Sequence, residues 1–330
     1  MQYLLGSSSD LLKALFSWKM RNFKVNPGDL VRAVAPAWKG AVENLALIKA
    51  YIESLGLVAQ ITDNIYDQNE PIYSNTDEFR ANDLISAILD NNCKVIWCIR
   101  GGAGCPRLFQ YLDEALPVQP PSPKLLIGYS EITALHIYLK RKYNWQTIHG
   151  PMLEAIVDGT YDQSSESVVT LVDIMFNRLS TVCYPELTRL DPGPSLDQSI
   201  KASILGGNLT LCQTSIGTTW EVNIDNSILI LEDIWVDAFQ LERKLDHMKQ
   251  VGKFQNVRAV IFGDFIDTDS QELVRFVLQR FATDGAIKCP VFVLQGIGHA
   301  EVNIPVPLNT EGEVMLDQGV YRLCSSSENL

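Results

Sequence analysis

The chain of 330 residues holds 39 acidic against 27 basic side chains, a formal charge of −12, and 46% of its residues are hydrophobic. This length favours two domains, and the composition is that of an ordinary globular protein with a large core. The acidic balance argues against nucleic acid as a partner, and because no apolar run approaches the ~20 residues that span a bilayer, a membrane is not expected either.

Residues 1–23 precede the first predicted strand and are interpreted as an N-terminal extension. Their apolar stretches are split by the polar residues 7–10 and are not preceded by basic residues, so the segment does not resemble a signal peptide. Met20 is an alternative start that would leave a compact domain. We expect removal of residues 1–19 to change neither the fold nor the turnover.

From residue 24 onward, short apolar runs alternate with segments of helical periodicity. The predicted strands are 30–35, 58–61, 94–99 and 125–127, and the predicted helices are 42–55, 76–89, 107–112 and 131–139. Repeated strand–helix–strand units form a parallel sheet with helices on both faces, and ligands bind beyond the carboxyl ends of its strands. The pattern therefore predicts a flavodoxin-like α/β domain over residues 24–160.

A polar, turn-rich region separates this domain from the second half of the chain. Residues 158–167 and 191–199 carry most of the turn residues, and we interpret 161–184 as a linker. An apolar segment at 202–205 leads through Gly206, Gly207 and Asn208 to the segment 209–216. The later predicted strands are 227–231, 259–262 and 290–294, the predicted helices are 239–248 and 273–280, and the tail from residue 303 alternates like a half-exposed antiparallel strand. Residues 185–330 are thus predicted to form a second α/β domain.

The seven cysteines are scattered, without a C-x-x-C pair. Several lie inside apolar runs, where a free cysteine behaves as a small hydrophobic residue. This usage predicts no disulfide framework, no structural zinc and a reducing compartment, so that a cytoplasmic location is expected.

The turn after the strand at 125–127 carries a serine in a chemically suggestive setting. Gly128 permits a sharp change of direction, Ser130 lies in the turn, and a helix begins at Glu131. A strand, a tight turn and a helix N-terminus form a nucleophile elbow, although Ile132 stands where G-x-S-x-G has its second glycine. The alternative is an ordinary turn with a serine near the helix N-cap.

A serine nucleophile needs a basic partner, and four histidines are available. His136 lies on the helix after Ser130 and is expected to point away from the elbow, and His247 lies on a charged helix. His149, at a strand end, is the second choice. His299 is favoured because it lies in a glycine-rich loop directly after a buried strand.

An acid that orients the histidine should come from another strand end. Glu232 and Asp233 both close the apolar strand at 227–231, where capping of the next segment is the alternative role. Choosing Glu232 gives the order serine, acid, histidine that α/β-hydrolases show.

These residues belong to an ordered series of motifs that resembles the LD-carboxypeptidase family of serine peptidases, which includes the microcin C self-immunity peptidases. The motifs are PGD at 27–29, VAP at 34–36, WCIRGGAG at 97–104, GYSEITAL at 128–135, HGPM at 149–152, GGNL at 206–209, LED at 231–233 and GHA at 298–300. The resemblance covers roughly residues 25–308.

The resemblance implies a catalytic triad of Ser130, Glu232 and His299 in a cleft between the two domains. It also implies an oxyanion hole made by the backbone N–H groups of Gly102 and Glu131. Glu131 stands where the family commonly has aspartate, which a backbone donor tolerates. No metal or organic cofactor is implied.

By the same resemblance, the expected reaction is hydrolysis of the amide between an L-configured centre and a C-terminal D-amino acid. The expected substrate is a small peptide, above all the murein tetrapeptide, with release of D-alanine in peptidoglycan recycling; a homodimer is left open.

Two other functions are left open. One is a related peptidase or amidase acting on a peptidyl-nucleotide or another acyl-amino-acid amide, for which Trp235 could stack on a base. The other is a binding protein on the same fold without chemistry. Arg100 could hold the terminal carboxylate of a peptide, or it could pair internally with a carboxylate such as Glu131 or Asp113.

Overall fold

The computed structural model describes residues 24–266 and 270–326, so the predicted extension at 1–23 lies outside the described residues. The helices are α1 (Asn44–Ser54), α2 (Asp77–Leu89), α3 (Phe109–Ala115), α4 (Thr133–Tyr143), α5 (Leu153–Val157), α6 (Glu166–Met175), α7 (Leu209–Thr214), α8 (Ala238–Gln250) and α9 (Gln271–Ala282). The strands are β1 (Leu30–Val34), β2 (Val58–Ile61), β3 (Cys93–Cys98), β4 (Leu125–Gly128), β5 (Thr147–His149), β6 (Thr181–Arg189), β7 (Ile200–Asn208), β8 (Ser227–Ile234), β9 (Ala259–Ile266), β10 (Val291–Val293), β11 (Val306–Leu308), β12 (Glu311–Asp317) and β13 (Val320–Ser326).

The first sheet has the strand order β11-β5-β4-β3-β1-β2. The strands β2, β1, β3, β4 and β5 run parallel, in the order that flavodoxin-type sheets show, and β11 adds an antiparallel edge. All four residues of β4 are buried, as expected for a strand covered on both faces by helices. The predicted parallel-sheet N-terminal domain is confirmed.

The second sheet closes into a seven-stranded barrel with the order β10-β6-β13-β12-β7-β8-β9. Strands β7 to β10 form a parallel half, and their crossovers carry helices α7, α8 and α9. Strands β6, β12 and β13 form an antiparallel half. The predicted second domain is therefore a barrel that is α/β in one half only. The segment interpreted as a linker, 161–184, contains α6 and the start of β6.

A disulfide joins Cys183 on β6 to Cys324 on β13, and the expectation of unpaired cysteines is wrong for this pair. The two strands are antiparallel neighbours, and these two residues lie opposite each other. Because 141 residues separate them in the chain, their spacing carries no sign of the pairing. The other cysteines (93, 98, 105, 212 and 289) are free thiols.

The end of β7 connects the barrel to the first domain at the start of α4. The amide of Asn208 donates to Oγ1 of Thr133 at 2.9 Å. At Gly207 an added Cβ would lie 2.6 Å from the same oxygen, so only a glycine allows this approach. The contact brings the carboxyl ends of β4, β5 and β8 to one place. No helix in the part of the chain that the structure describes is long and apolar enough to cross a membrane.

Candidate active site

Ser130 lies in a strained turn between β4 and α4. Its φ of 61° falls in the left-handed region that residues other than glycine rarely adopt. An added Cβ at Gly128 would lie 2.8 Å from Cγ1 of Ile132, so the isoleucine packs directly against the bare backbone of the glycine. The absence of a side chain at Gly128 is thus enough to let the start of the helix approach the strand closely. This explains how Ile132 can stand where the G-x-S-x-G motif has its second glycine.

Glu232 and His299 form a close hydrogen-bonded pair. Glu232 lies on β8, and His299 lies in the loop after β10. Nδ1 of His299 is 2.7 Å from Oε2 of Glu232, whose side chain is fully buried. Because the carboxylate can only accept, Nδ1–H donates, which makes Nε2 the basic nitrogen of the neutral imidazole. This is the relationship of a general base to the acid that orients it.

A second histidine contacts the same carboxylate. Nε2 of His149, at the end of β5, is 3.4 Å from Oε1 of Glu232. Burial alone would raise the pKa of Glu232, but the two histidines outweigh it and lower this pKa to about 2. Glu232 is therefore ionised at neutral pH although water does not reach it.

The loop that carries His299 is shaped by close backbone contacts. An added Cβ at Gly298 would lie 2.7 Å from Oε2 of Glu232, so a side chain there would displace the carboxylate. Asp264, on β9, accepts a hydrogen bond from the amide of Gly296 at 2.9 Å. Burial raises the pKa of Asp264 to about 6, against the lowering effect of the loop amides. Strand β9 thus helps to place the histidine.

Tyr129, the neighbour of Ser130 in the chain, connects the elbow to the histidine. Its ring centroid lies 4.8 Å from that of His299. The hydroxyl of Tyr161 is 3.5 Å from the hydroxyl of Tyr129 and 3.4 Å from the carbonyl oxygen of Ala300. The aromatic contact therefore places the imidazole beside the elbow, on a wall that includes Tyr161, a residue that the sequence analysis missed.

The glycine loop, residues 101–104, lies against the same turn. An added Cβ at Gly101 would lie 3.5 Å from Oγ of Ser130, so bare backbone faces the hydroxyl. Gly102 has a φ of 123°, which a side chain would not tolerate. The predicted backbone donors thus lie on the segment that borders Ser130 (Gly102) and on the residue that follows it (Glu131).

Arg100 is half exposed and pairs with a different carboxylate from those considered in the sequence. Its Nη1 lies 3.5 Å from Oε2 of Glu154, while 48% of its side chain remains exposed. The internal partner is Glu154 on α5, so the suggestions of Glu131 and Asp113 were wrong. An exposed guanidinium with one long contact keeps donors available for a ligand.

Trp235 lies just beyond β8, three residues after Glu232. Its backbone adopts a φ of 57°, and its amide donates to the carbonyl oxygen of Ile266 at 3.1 Å. The residue is 67% exposed. An indole held outward on strained backbone suits contact with a ligand.

Asp233, the other acid considered, has a different role. Its carboxylate accepts from Nδ2 of Asn208 at 2.8 Å and from Oγ1 of Thr210 at 2.6 Å. It therefore holds the end of β7 and the start of α7, as expected for an acid that caps a segment. The G-G-N motif was the signal that could have identified Asn208.

The two remaining histidines contact groups other than Glu232. Nε2 of His136 donates to the carbonyl oxygen of Gly128 at 2.9 Å, and burial lowers the pKa of His136 to about 3. Nδ1 of His247 lies 2.9 Å from Nε2 of Gln213 on the barrel.

A cavity of about 970 Å³ lies at the opposite end of β4 and β5 and is lined by the last turns of α4. The lining residues do not include Ser130, Glu232 or His299. Within residues 24–266 and 270–326, no cluster of three or more metal-ligating side chains is present.

Two family models match this chain. Residues 31–150 match the LD-carboxypeptidase N-terminal domain, and residues 201–314 match the LD-carboxypeptidase C-terminal domain. The chain belongs to the LD-carboxypeptidase family. A Rickettsia conorii protein with the name "putative carboxypeptidase" is 34% identical over 288 residues, which cover 86% of this chain and 87% of that protein.

Solved structures show the same fold for this LD-carboxypeptidase family member. The muramoyltetrapeptide carboxypeptidase of Oxalobacter formigenes superposes with a TM-score of 0.76 at 21% identity, covering 90% of this chain and 98% of that one. The microcin C7 self immunity protein MccF, in complex with aspartyl sulfamoyl adenosine, superposes with a TM-score of 0.75 at 19% identity, covering 92% and 97%. Membership of this family makes the protein a peptidase.

Proposed function

We propose that the protein is a serine LD-carboxypeptidase with Ser130 as nucleophile, His299 as general base and Glu232 as orienting acid. The observation that carries the proposal is the 2.7 Å contact between Nδ1 of His299 and the buried carboxylate of Glu232. Tyr129, the residue before Ser130, packs on the same imidazole with ring centroids 4.8 Å apart. The site lies in the cleft between the parallel sheet and the barrel.

The proposed reaction is acyl transfer to the serine followed by hydrolysis. Oγ of Ser130 attacks the scissile carbonyl carbon while Nε2 of His299 takes its proton. The C–N bond then breaks as the imidazolium returns that proton to the leaving amine, and water repeats the sequence on the acyl-enzyme. The anionic carboxylate of Glu232 stabilises the imidazolium, and the N–H groups of Gly102 and Glu131 stabilise the oxyanion.

The proposed substrate is a murein tetrapeptide, cleaved between an L-configured centre and the terminal D-alanine. The name of the Oxalobacter formigenes neighbour supports this substrate. Arg100 is the proposed contact for the terminal carboxylate, because a guanidinium can bind a carboxylate through two parallel hydrogen bonds.

The test is the release of D-alanine from purified murein tetrapeptide. We expect turnover by the unmodified protein and by Ser122→Ala, an exposed serine in the loop before β4, and a loss of roughly a thousandfold or more in Ser130→Ala. Activity of Ser130→Ala above a tenth of the unmodified protein would refute the serine as nucleophile.

The exposed indole of Trp235 favours a second candidate, a peptidase that acts on a peptidyl-nucleotide. The aspartyl sulfamoyl adenosine in the complex of MccF is a nucleotide analogue, and it supports this alternative. Cleavage of an aminoacyl sulfamoyl adenosine but not of murein tetrapeptide would select it. In that case Trp235→Ala should raise KM for the nucleotide substrate, since a stacked aromatic contributes ~1–3 kcal/mol per base.

We place this activity in the cytoplasm, in the recycling of peptidoglycan fragments. The Cys183–Cys324 disulfide bears on that location because disulfides are rare in a reducing compartment. The state of this pair in the cell is tested by isolating the protein rapidly in a thiol-blocking reagent, unfolding it, and counting the blocked cysteines by mass. Five blocked cysteines are expected if the Cys183–Cys324 disulfide is present in the cell, and seven would show that a reducing compartment keeps this pair as thiols.

A further inference from the structure

The side chain of Glu131 lies inside the protein, between the elbow and the glycine loop. Only 6% of the residue is exposed, although it directly follows the proposed nucleophile. Its Oε1 accepts a hydrogen bond of 2.8 Å from the amide of Cys105, the first residue after the glycine loop. The amide of Gly104 also lowers the pKa of this carboxyl group.

The other hydrogen bonds that the structure describes for this segment run to parts of the chain away from the elbow. The carbonyl oxygen of Gly104 accepts from Nη1 of Arg80 at 3.2 Å, and the amide of Trp38 donates to the carbonyl oxygen of Gly101 at 3.2 Å. These bonds hold the loop to α2 and to the segment after β1. The bonds from Glu131 hold it to the residue that follows Ser130.

We propose that the ionised side chain of Glu131 is a positioning residue that fixes the distance between the two halves of the oxyanion hole. One half, the N–H of Gly102, lies on the loop that Glu131 anchors, and the other half is the N–H of Glu131 itself. This inference rests on the proposed function. A hydrogen bond from an amide to an ionised carboxylate is stronger than one to a protonated carboxyl, so protonation weakens the bond from Cys105 and loosens the loop.

The surroundings of Glu131 hold its ionisation near neutral pH. Burial raises its pKa to about 7, against the lowering effects of the two amides and of Arg80. Arg80 is itself paired with Asp77, and the thiol of Cys105, which faces Glu131, also faces the thiol of Cys98. Burial raises the pKa of both thiols, which stay neutral.

The test compares Glu131→Gln with Glu131→Ala. Glutamine keeps an acceptor without the charge, and alanine removes both. We expect Glu131→Ala to lower kcat roughly 100-fold with little change in KM, as for a displaced oxyanion donor, and Glu131→Gln to retain kcat within roughly tenfold at pH 6. The matched control, Asp83→Asn, alters another buried carboxylate, on α2 and paired with Arg32; it should lower the Tm and leave kcat unchanged.

The pH profile separates positioning from stability. The ratio of kcat for the unmodified protein to kcat for Glu131→Gln removes the pH effects that the two proteins share, and it therefore isolates the effect of Glu131. This ratio should fall roughly tenfold from pH 8 to pH 6, because the ionised fraction of a group with a pKa of about 7 falls by that factor. A ratio that does not change with pH would overturn the proposal.

Hydrogen exchange provides a measure that does not depend on activity. The peptide covering residues 101–108 should exchange faster in Glu131→Ala than in the unmodified protein, and faster in the unmodified protein at pH 6 than at pH 8 after correction for intrinsic rates. If murein tetrapeptide is not cleaved but exchange behaves as stated, the proposed function fails and the anchor stands. Unchanged exchange in Glu131→Ala refutes the anchor.

Discussion

His149 and His299 contact opposite oxygens of Glu232, at 3.4 Å and 2.7 Å. Nδ1 of His149 is buried without a hydrogen-bond partner among residues 24–266 and 270–326. A buried N–H without a partner is costly, so the proton belongs on Nε2, which donates to Glu232. His149, on the parallel sheet, therefore holds the carboxylate of Glu232 in place by donating a hydrogen bond to it. The same carboxylate orients His299, which lies on the barrel.

The first prediction concerns this second histidine. His149→Phe should lower kcat roughly 10- to 100-fold, because a hydrogen bond to a charged group contributes about 1.5–3 kcal/mol. The acid limb of the stability curve should also move to higher pH, since the pKa of Glu232 loses one of its lowering partners. His247→Phe, on the barrel, serves as the control. If His149→Phe abolishes turnover while His299→Ala is mild, His149 is the base.

The second prediction concerns the triad as a unit. Ser130→Ala and His299→Ala should each reduce turnover of the tetrapeptide by a similar, large factor, and the double variant should be no worse than either. Members of a triad act together, so their losses do not add. Steady-state kinetics of the three variants measure this. Additive losses would show that the two side chains act in separate steps.

The third prediction concerns Arg100. Its pair with Glu154 is half exposed, and such pairs contribute about 0–1 kcal/mol, so Arg100→Ala should change the Tm little. If Arg100 binds the terminal carboxylate, this variant should weaken kcat/KM for the free-acid peptide by roughly 2–5 kcal/mol. The matching C-terminal amide should lose far less. Equal losses on both substrates would assign Arg100 to the scaffold.

The fourth prediction concerns the pH dependence of stability at Glu131. Its folded pKa of about 7 lies above the ordinary value of 4.5, so between these values the folded state binds more protons than the unfolded chain. The contribution of Glu131 to the free energy of unfolding is fully present below pH ~4.5. It is lost as the pH rises through 7, by up to about 3 kcal/mol.

The measurement is the Tm of Glu131→Gln minus that of the unmodified protein, followed across pH. This difference should rise from pH 5 to pH 8. A difference that is constant across this range would mean that the carboxyl group does not titrate there.

Local patterns were enough to predict most elements of the parallel sheet. Strand 30–35 was predicted and β1 is Leu30–Val34, and helix 76–89 was predicted and α2 is Asp77–Leu89. Apolar runs and the Thr76 N-cap are local signals, and here the tertiary structure agrees with them. The series of motifs likewise assigned the family, because their order along the chain needs no three-dimensional information.

The barrel was decided by pairings between distant segments. Strand β6 lies partly in the predicted linker, and only its first residues, with Val182 and Tyr184 buried between exposed neighbours, show the alternation of a strand. Closure depends on β6 pairing with β10 and β13, more than 100 residues further along the chain, and strand periodicity does not specify a partner. The Cys183–Cys324 disulfide follows from one of these pairings and could not be foreseen without it.

The sequence by itself determined the family, the parallel sheet and the choice of Ser130, Glu232 and His299 as candidates, because each depends on residue type, order and local periodicity. The tertiary structure decided that His149 shares the carboxylate of Glu232 and that the Glu131 side chain anchors the amide of Cys105. It also decided that Arg100 pairs with Glu154. These contacts join residues that are far apart along the chain. Those of Glu131 and Arg100 depend on how the first domain packs internally, and that of His149 depends on how the barrel packs against the parallel sheet.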